Sequence, residues 1–507
     1  MSESHDDLFD FFDHWPSRQL SDLADVISPG FPCGDHNQEG DGVPHLRPMN
    51  ISEDGEIDLS KVKCVEEEYT PLRSGDVLFN NTNSPALVGK TAHIDRDREW
   101  AHSNHMTRIR GLPEGLSSKW VAHWLHFLFQ DGYFRMHCRN HVNQASIGVG
   151  FLEDKVEVPL PTLSEQRRIV AKIEELFSDL DAGVADLKRA KKQLQRYRQS
   201  VLQAAVEGRL TKAWREERDA EPADKLLERI LEERRAQWEK DYRAKYEAKG
   251  KEPPSGWKSR YKPAEELDTS DLPELPEGWV WTSMDQLLSN VRNGYSKAPK
   301  AESGVPILRI SAVRPLSVDL SDVRYLEGKP EDYEKYLIEP GYLLFVRYNG
   351  NPELVGVCGT VKELDQEYAH PDKLIRGEVA EPEVAMPRFL EMAFNVGESR
   401  DHVANRVRTT AGQAGISQGD IYSAPVPIPP PEEQRQIVNE VERLLSVADE
   451  ATQTVEREIK RAERLRQSIL KQAFSGKLVE CEEAPSPNRK DGNENVVVAD
   501  QQIEMAL

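Results

Sequence analysis

The sequence predicts an α+β protein: two similar globular α/β domains and two long helices that pack as an antiparallel coiled coil, in an internal repeat with pseudo-twofold symmetry. Three observations lead to this prediction: an internal duplication, a heptad pattern in each copy, and short β-rich runs between the helical segments. Residues 159–210 align with residues 427–478 without a gap. Self-similarity over such a length indicates that one structural unit is built twice.

Each aligned segment has apolar residues at heptad spacing, which is typical of a coiled-coil seam. The seam positions of the two copies are Ile173, Leu180, Leu187, Leu194 and Val201, and Val441, Ala448, Val455, Ala462 and Ile469. Each segment follows a proline-rich exit, PLPTLSEQ or PIPPPEEQ, that ends the preceding strand. Helices of about 40 residues span about 60 Å. Because a whole domain separates them, an antiparallel pair is easily connected.

The duplication extends upstream more faintly. Residues 42–47 match residues 304–309, and residues 75–79 match residues 341–345. Gln144 and Ile147 likewise match Gln413 and Ile416. The globular parts differ more than the helices do, which indicates that the two parts meet different demands.

These patterns divide the chain into six segments. The charged helix expected after the first long helix is broken at residues 249–256 by KGKEPPSG. The segments are a first globular domain (1–160), a helical region (161–250, with helices at 164–207 and 222–248), a linker (251–278), a second globular domain (279–430), a second long helix (431–478) and a polar tail expected to be disordered (479–507).

The formal net charge of −22 is unusual for a protein that binds nucleic acid alone, because such proteins carry basic patches. Only residues 164–250 contain more basic than acidic side chains. Binding of nucleic acid by this chain would therefore require local patches or partner subunits that supply the positive field.

The acidic N-terminus has neither the basic nor the apolar part of a secretory signal. No apolar run approaches the roughly 20 residues of a membrane span. The five cysteines form no CxxC pair, which argues against a zinc ribbon and is typical of the reducing cytoplasm. We therefore expect a cytoplasmic protein without a membrane partner.

No catalytic motif emerges. Val88-Gly89-Lys90-Thr91 resembles the end of a phosphate-binding loop, but Ser84 stands where that loop needs its first glycine. The only candidates for the Asn/Asp-Pro-Pro-aromatic motif of adenine methyltransferases are EPPS and IPPP, and neither fits. The histidines lack an HExxH or cysteine-pair context, so hydrogen-bonded histidines are favoured over a metal site. We predict no catalytic residue, no metal and no cofactor bound by this chain.

The duplicated layout resembles the specificity subunits of Type I restriction-modification systems over nearly the whole chain. The resemblance rests on the twin helix starts EQRRIVAKIEELF and EQRQIVNEVERLL and the twin helix ends RQSVLQAAVEGRLT and RQSILKQAFSGKL. The two Leu-Phe turns and the segment LPELPEGWVW add to it. No single motif decides the matter, but the whole set in duplicate and in order is specific.

The resemblance implies that each globular unit is a target recognition domain that reads one half of a split site in double-stranded DNA. The helices would set the spacing and dock two methyltransferase subunits that carry S-adenosylmethionine and adenine-N6 chemistry. Two motor-nuclease subunits, which use ATP and Mg, join such complexes in some systems. This chain itself would be a non-catalytic subunit.

Base edges are read by Arg, Asn and Gln side chains, and loops on a rigid scaffold commonly carry them. Asn and Gly residues after strands can instead be ordinary turn residues, and this alternative holds for each candidate. The candidate DNA-binding residues are Arg47, Asn80, Asn81, Asn83, Lys90, Asn143 and Gln144 in the first unit, and Arg309, Arg347, Tyr348, Asn349, Asn351, Arg408 and Gln413 in the second.

Residues that are identical in both helical copies suggest one kind of partner bound twice, since DNA readers of different half-sites would diverge. The candidates for partner binding are Glu165, Gln166, Arg167, Arg196 and Arg198, with Glu433, Gln434, Arg435, Arg464 and Arg466. A two-headed scaffold that binds only proteins is the competing interpretation, and the acidity favours it. An enzyme is disfavoured by the missing motifs.

Overall fold

The computed structural model describes residues 15–34, 36–37, 40–66, 69–141, 144–218, 222–410 and 412–479. The tail predicted to be disordered lies, from residue 480 onward, outside the described residues. The chain forms two compact units. Unit 1 contains the residues up to Lys188 together with those from Glu456 onward, and unit 2 contains Arg189–Val455.

Two long helices contribute to both units. The first long helix is Leu163–Val206 and the second is Pro431–Phe474. A glycine with positive φ follows each of them, Gly208 at 68° and Gly476 at 69°, as expected of a residue that ends a helix in the left-handed conformation. The charged helix that follows the first long helix is Ala223–Glu247.

The globular part of unit 1 is built from short strands and helices. The strands are Ser17–Gln19, Val26–Pro29, Val43–Leu46, Lys63–Val65, Val77–Asn80, Thr82–Asn83, Thr91–His93, Ala101–His102, Met106–Arg110, Arg139–Asn140, Ala145–Ser146 and Glu157–Pro159. The α-helices are Ser118–Gln130, Tyr133–His137 and Val149–Lys155, and the 3-10 helices are Leu20–Asp22 and Pro48–Asn50.

The globular part of unit 2 repeats this plan. The strands are Val280–Ser283, Leu288–Asn293, Val305–Leu308, Val313–Arg314, Ser317–Val318, Val323–Leu326, Leu343–Val346, Tyr348–Asn349, Cys358–Thr360, Leu374–Val379, Arg408–Thr410, Gln413–Gly415 and Pro425–Ile428. The α-helices are Lys212–Glu216, Met284–Leu287, Pro387–Phe394, Gly397–Ala404 and Gln418–Tyr422, and the 3-10 helices are Trp257–Arg260, Ile310–Ala312, Pro330–Tyr336 and Pro352–Leu354.

A four-stranded antiparallel sheet forms the centre of each globular part, with its strands in the same order. In unit 1 the order is 26–29, 106–110, 77–80 and 91–93; in unit 2 it is 288–293, 374–379, 343–346 and 358–360. Outside these sheets, each unit has a two-stranded antiparallel pair, Ser17–Gln19 with Glu157–Pro159 and Val280–Ser283 with Pro425–Ile428, whose second strand leads into a long helix. The predicted α+β class with an internal repeat is confirmed at this level.

Both long helices enter the core of each unit. In unit 1, Phe474 near the end of the second helix lies 4.7 Å from Trp120 and 5.0 Å from Trp124 between ring centroids. Ile169 and Ile173 of the first helix belong to the same apolar cluster. In unit 2, the corresponding cluster contains Val201, Leu202 and Ala205 of the first helix with Ile437 and Val438 of the second.

The helices pair antiparallel. In unit 2, Arg198 forms an ion pair with Asp449 and donates to the Thr452 hydroxyl at 3.0 Å, whereas Thr211, further along, donates to Glu433 at 2.6 Å. The partner number falls as the residue number rises. In unit 1, Arg466 pairs with Asp181. Arg466 and Asp181 are the repeat equivalents of Arg198 and Asp449, so the same ion pair is made once in each unit with the roles of the helices exchanged.

A buried glutamine fastens each long helix to its globular domain. Gln166 accepts a hydrogen bond from the Ser117 backbone N–H at 2.8 Å and donates to the Pro161 carbonyl at 2.8 Å. Gln434 accepts from the Met386 N–H at 2.8 Å and donates to the Val384 and Pro429 carbonyls, each at 2.9 Å. Ser117 and Met386 precede equivalent domain helices, so one amide fixes the start of a domain helix against the long helix.

Replacing either buried glutamine by alanine should therefore destabilise its own unit. Gln166→Ala removes the acceptor of the half-buried Ser117 N–H, and Gln434→Ala removes that of the half-buried Met386 N–H, at a cost of about 1 kcal/mol in the free energy of unfolding. Urea denaturation followed by fluorescence measures this loss. Gln467→Ala and Gln199→Ala are matched controls, because these glutamines lie exposed on the same helices. Equal midpoints for buried and exposed variants would contradict the assignment.

Candidate nucleic-acid interface

Four of the residues predicted to contact DNA in unit 2 meet in one small three-stranded antiparallel sheet, which we call the small sheet of unit 2. Its strands are Tyr348–Asn349, Gln413–Gly415 and Arg408–Thr410, with Gln413–Gly415 in the centre. Tyr348 lies opposite Gly415, and Arg408 lies opposite Gly415 on the other side. The Arg408 and Gln413 side chains are exposed.

Unit 1 contains the same sheet, which we call the small sheet of unit 1. Its strands are Thr82–Asn83, Ala145–Ser146 and Arg139–Asn140, again with the second in the centre. Asn83 lies opposite Ala145 as Asn349 lies opposite Ala414. Gln144, which precedes the central strand, is exposed; Asn143, also predicted as a contact, lies outside the described residues.

The matched registers reveal a residue that the sequence interpretation missed. Arg139 lies opposite Ser146 in unit 1 as Arg408 lies opposite Gly415 in unit 2, and both arginines are exposed. Arg139 stands as far before Gln144 as Arg408 stands before Gln413. Extending the alignment of those glutamines backwards would have found it.

The asparagines on the first strand of each small sheet organise the following loop. Asn83 accepts a hydrogen bond from the Ser84 N–H at 2.8 Å, and Asn349 accepts one from the Asn351 N–H at 3.0 Å. Asn351 in turn accepts from the Glu353 N–H at 3.0 Å and begins a 3-10 helix. Each amide oxygen therefore accepts a hydrogen bond within a turn. This is the alternative role, that of an ordinary turn residue, given for these positions above.

Tyr348 is held in a crowded position. The Arg347 guanidinium lies 4.7 Å from the centre of the Tyr348 ring and donates to the Asp372 carbonyl at 3.4 Å. On the other side, a Cβ atom added to Gly415 would come within 2.3 Å of the Tyr348 ring. A side chain at position 415 would displace the ring, so the glycine sets the place of Tyr348 on the small sheet.

Three other predicted contacts are buried and bonded within unit 1. Asn80 donates to the Leu87 carbonyl at 3.2 Å, Asn81 donates to the Thr107 hydroxyl at 3.0 Å, and Lys90 donates to the Ile51 carbonyl. Burial lowers the pKa of the Lys90 ammonium. These side chains therefore hold the loop after strand Val77–Asn80. The sequence pattern alone could not tell that they are buried.

The remaining two candidates lie apart from the small sheets. Arg47 is half-buried and donates to the Lys61 carbonyl at 3.0 Å. Arg309 is exposed and forms an ion pair with Asp322 at 3.2 Å. Each guanidinium has an internal partner that competes with contacts to DNA.

Comparisons with known proteins agree with this architecture. A protein described as the Type I restriction enzyme EcoKI specificity subunit, from Escherichia coli strain K12, is 31% identical over 467 residues, covering 89% of this chain and 86% of that protein. The chain belongs to the specificity subunits of Type I restriction enzymes. The StySPI specificity subunit of Salmonella potsdam is 26% identical over 467 residues, covering 90% of this chain and 86% of that protein.

A solved structure described as the basis of complex assembly and conformational transition of the type I R-M system shares the fold of this specificity subunit. The TM-score is 0.59 at 17% identity, covering 92% of this chain and 98% of the other. No family model matches the sequence. Among the described residues, no helix is long and apolar enough to cross a membrane, and no cluster of three potential metal ligands occurs.

The predicted partner-binding residues of this specificity subunit divide into two groups. Gln166, Gln434, Glu433 and Arg466 are buried, and Arg198 is half-buried, with the internal bonds described above. Glu433 also accepts from the Trp279 indole N–H at 2.9 Å and pairs with Arg215. Glu165 is half-buried, and the exposed members are Arg167, Arg196, Arg435 and Arg464. The exposed arginines are the accessible part of the duplicated surface.

The contact between Gly415 and Tyr348 can be tested directly. Gly415→Ala should lower the unfolding free energy of unit 2 by about 1–3 kcal/mol, because the new methyl group displaces a packed ring. Gly350→Ala is the control, since a Cβ atom there meets nothing within 4 Å. Chemical denaturation of both variants measures the difference. If Gly415→Ala is no less stable than Gly350→Ala, the packing described for Tyr348 is wrong.

Proposed function

We propose that this specificity subunit reads a two-part target in double-stranded DNA, one half with the small sheet of each unit, and that it catalyses no reaction itself. The observation that carries the proposal is the duplicated geometry with different side chains. Asn140 in unit 1 stands where Thr409 stands in unit 2, and Thr82 stands where Tyr348 does. The backbone plan is kept while the side chains at these two positions change.

The chemistry of the small sheets suits base readout. Arg139 and Arg408 are exposed at equivalent places, and a guanidinium can donate two hydrogen bonds to the O6 and N7 atoms of guanine. Gln144 and Gln413 can pair similarly with adenine. A two-stranded ribbon fits the major groove of B-form DNA, which is about 12 Å wide. These residues supply recognition but no nucleophile or general base.

The long helices are the proposed docking surface for two methyltransferase subunits. Arg167, Arg196, Arg435 and Arg464 present the same exposed chemistry twice, as binding of one kind of partner twice requires. In unit 1, an apolar groove of about 490 Å³ opens between the helices beside Leu180, Val184, Leu187 and Leu465. An apolar groove whose lining includes Arg461 suits a helix of a partner.

The cofactors of the proposed complex belong to the partners. S-adenosylmethionine would be bound by the methyltransferase subunits, and ATP with Mg by motor-nuclease subunits where a system contains them. We place the complex in the cytoplasm, where it meets DNA. The net charge of −22 is compatible with this assignment if the partner subunits supply much of the phosphate contact.

Paired arginine variants test the proposal. Arg139→Ala should relax specificity at one half of the methylated motif and Arg408→Ala at the other, each by about 1–3 kcal/mol of discrimination, because each removes one base-reading fork. Sequencing of methyladenine in cells that co-express the chain with its methyltransferase measures both halves in one experiment.

Arg96→Ala and Arg324→Ala are the controls, because each removes an exposed arginine of the same unit outside the small sheets. They should leave the motif unchanged. Relaxation of the same half by both Arg139→Ala and Arg408→Ala, or of neither half, would overturn the assignment of one half-site to each sheet. A motif that does not depend on the chain at all would favour the protein-binding scaffold.

A further inference from the structure

Arg108 of unit 1 occupies an unusual position for a charged side chain. It lies in the strand Met106–Arg110, which has a neighbour on each side in the four-stranded sheet, with Ser28 and Leu78 as its Cα partners. The residue is only 8% exposed. A guanidinium that is mostly buried in an interior strand loses much of its hydration, so its charge needs a partner where it lies.

Two of the three guanidinium nitrogens of Arg108 receive no hydrogen-bond acceptor from the described residues. The Nε and Nη1 atoms of Arg108 are buried and have no hydrogen-bond partner among the described residues. Asp76, the nearby carboxylate, is already bound by both arms of Arg110 at 2.6 Å. A buried charge without a partner is strongly destabilising, and an unpaired buried donor commonly marks a place where an ion or ligand binds.

Arg108 lines a cavity of about 420 Å³ together with His102, Ser28 and Thr70. The Nε2 atom of His102 is likewise buried without a partner among the described residues. Burial and the neighbouring positive charge of Arg108 lower the pKa of His102 to about 4, so the ring is neutral at pH 7. A guanidinium, a neutral imidazole and two hydroxyls form a set of donors suited to an anion.

Unit 2 provides an internal comparison. Arg376 lies opposite Leu344 as Arg108 lies opposite Leu78, so the two arginines occupy equivalent places in the two sheets. Arg376 pairs with Glu378 at 2.5 Å, donates to the Leu337 carbonyl, and lies 4.8 Å from the Tyr342 ring centre. Two of the three guanidinium nitrogens of Arg376 thus have protein partners and only its Nε atom lacks one, whereas Arg108 has two nitrogens without a partner among the described residues.

We propose that the cavity at Arg108 and His102 binds an oxyanion of the phosphate class. Two sources share this chemistry: a backbone phosphate of the bound DNA, and a free phosphate or phosphorylated small molecule. The DNA source rests on the proposed function. The loop after His102 connects the cavity to the small sheet of unit 1, because the His105 carbonyl accepts from the Asn81 and Thr82 N–H groups at 3.1 and 3.3 Å.

The test compares Arg108→Met with the unaltered full chain, alone and in complex with its methyltransferase. Inorganic phosphate, against sodium chloride of equal ionic strength, should raise the Tm of unit 1 by roughly 5 °C or more once phosphate exceeds its Kd about 100-fold. Arg108→Met should lose this rise without a lower Tm in phosphate-free buffer. Arg376→Met is the matched control; it should lower the Tm of unit 2 equally in both buffers, because it removes internal bonds.

The salt dependence of DNA binding distinguishes the two sources. If the ligand is a backbone phosphate, Arg108→Met should reduce the slope of log K against log salt by about 0.9 and weaken binding uniformly across sequences. An unchanged slope, with the phosphate-dependent Tm retained only by the unaltered chain, assigns the cavity to a free anion. Equal responses of Arg108→Met and the unaltered chain in both assays would overturn the inference. Failure of the unaltered complex to bind a specific site would overturn the proposed function instead. The Tm comparison would still show whether this cavity binds phosphate.

Discussion

Each globular domain is completed by the end of the long helix that starts from the other half of the repeat. In unit 1, Phe474 lies against Trp120 and Trp124, in the same core as Ile169 and Ile173. In unit 2, Val201 and Leu202 lie in the same core as Ile437. Neither domain can bury its apolar surface without both helices, so the antiparallel pairing is a condition of the fold and not an addition to it.

This constraint explains why the helices resemble each other more than the domains do. Each helical copy must fasten its own domain at its start, through Gln166 or Gln434, and fill the core of the other domain at its end. It must also pair with its twin, through the contacts Arg198–Asp449 and Arg466–Asp181. Because Arg198 and Asp449 are partly exposed, their ion pair adds at most about 1 kcal/mol to the stability. Its main effect is on the register of the two helices. The small sheets carry none of these duties: an exposed arginine and glutamine recur in both, but Asn140 stands where Thr409 does, and Thr82 where Tyr348 does.

A feature of this chain could be predicted from the sequence where its signal is local, and could not where it depends on tertiary packing. The long helices could be predicted, because heptad spacing, proline-rich starts and terminal glycines are local signals. Asn80, Asn81 and Lys90 were chosen as contacts because they follow a strand, but their burial depends on the packing of distant segments such as Ile51 and Thr107. Arg139 carries a sequence signal of its own, because the alignment of Gln144 with Gln413, extended backwards, pairs it with Arg408. The small sheets bring together residues far apart in sequence, which no local pattern predicts.

The net negative charge of the chain limits how it can hold DNA. An acidic chain must hold DNA through a few well-placed cations or through its partners. We propose that the exposed Arg139 and Arg408 read bases, whereas two nitrogens of the buried Arg108 have no hydrogen-bond partner within the described residues. The three arginines are thus assigned two different roles, base readout at the small sheets and anion binding in the cavity of unit 1.

The central claim is that one chain carries two equivalent readers for two different half-sites. Single-molecule sequencing of methyladenine in cells that express the partner methyltransferase, with and without this chain, tests it most directly. We expect methylation at a motif of two separated parts, and we expect this methylation only when the chain is expressed. Methylation at a single uninterrupted motif, or the same pattern without the chain in an assembled and active complex, would contradict it.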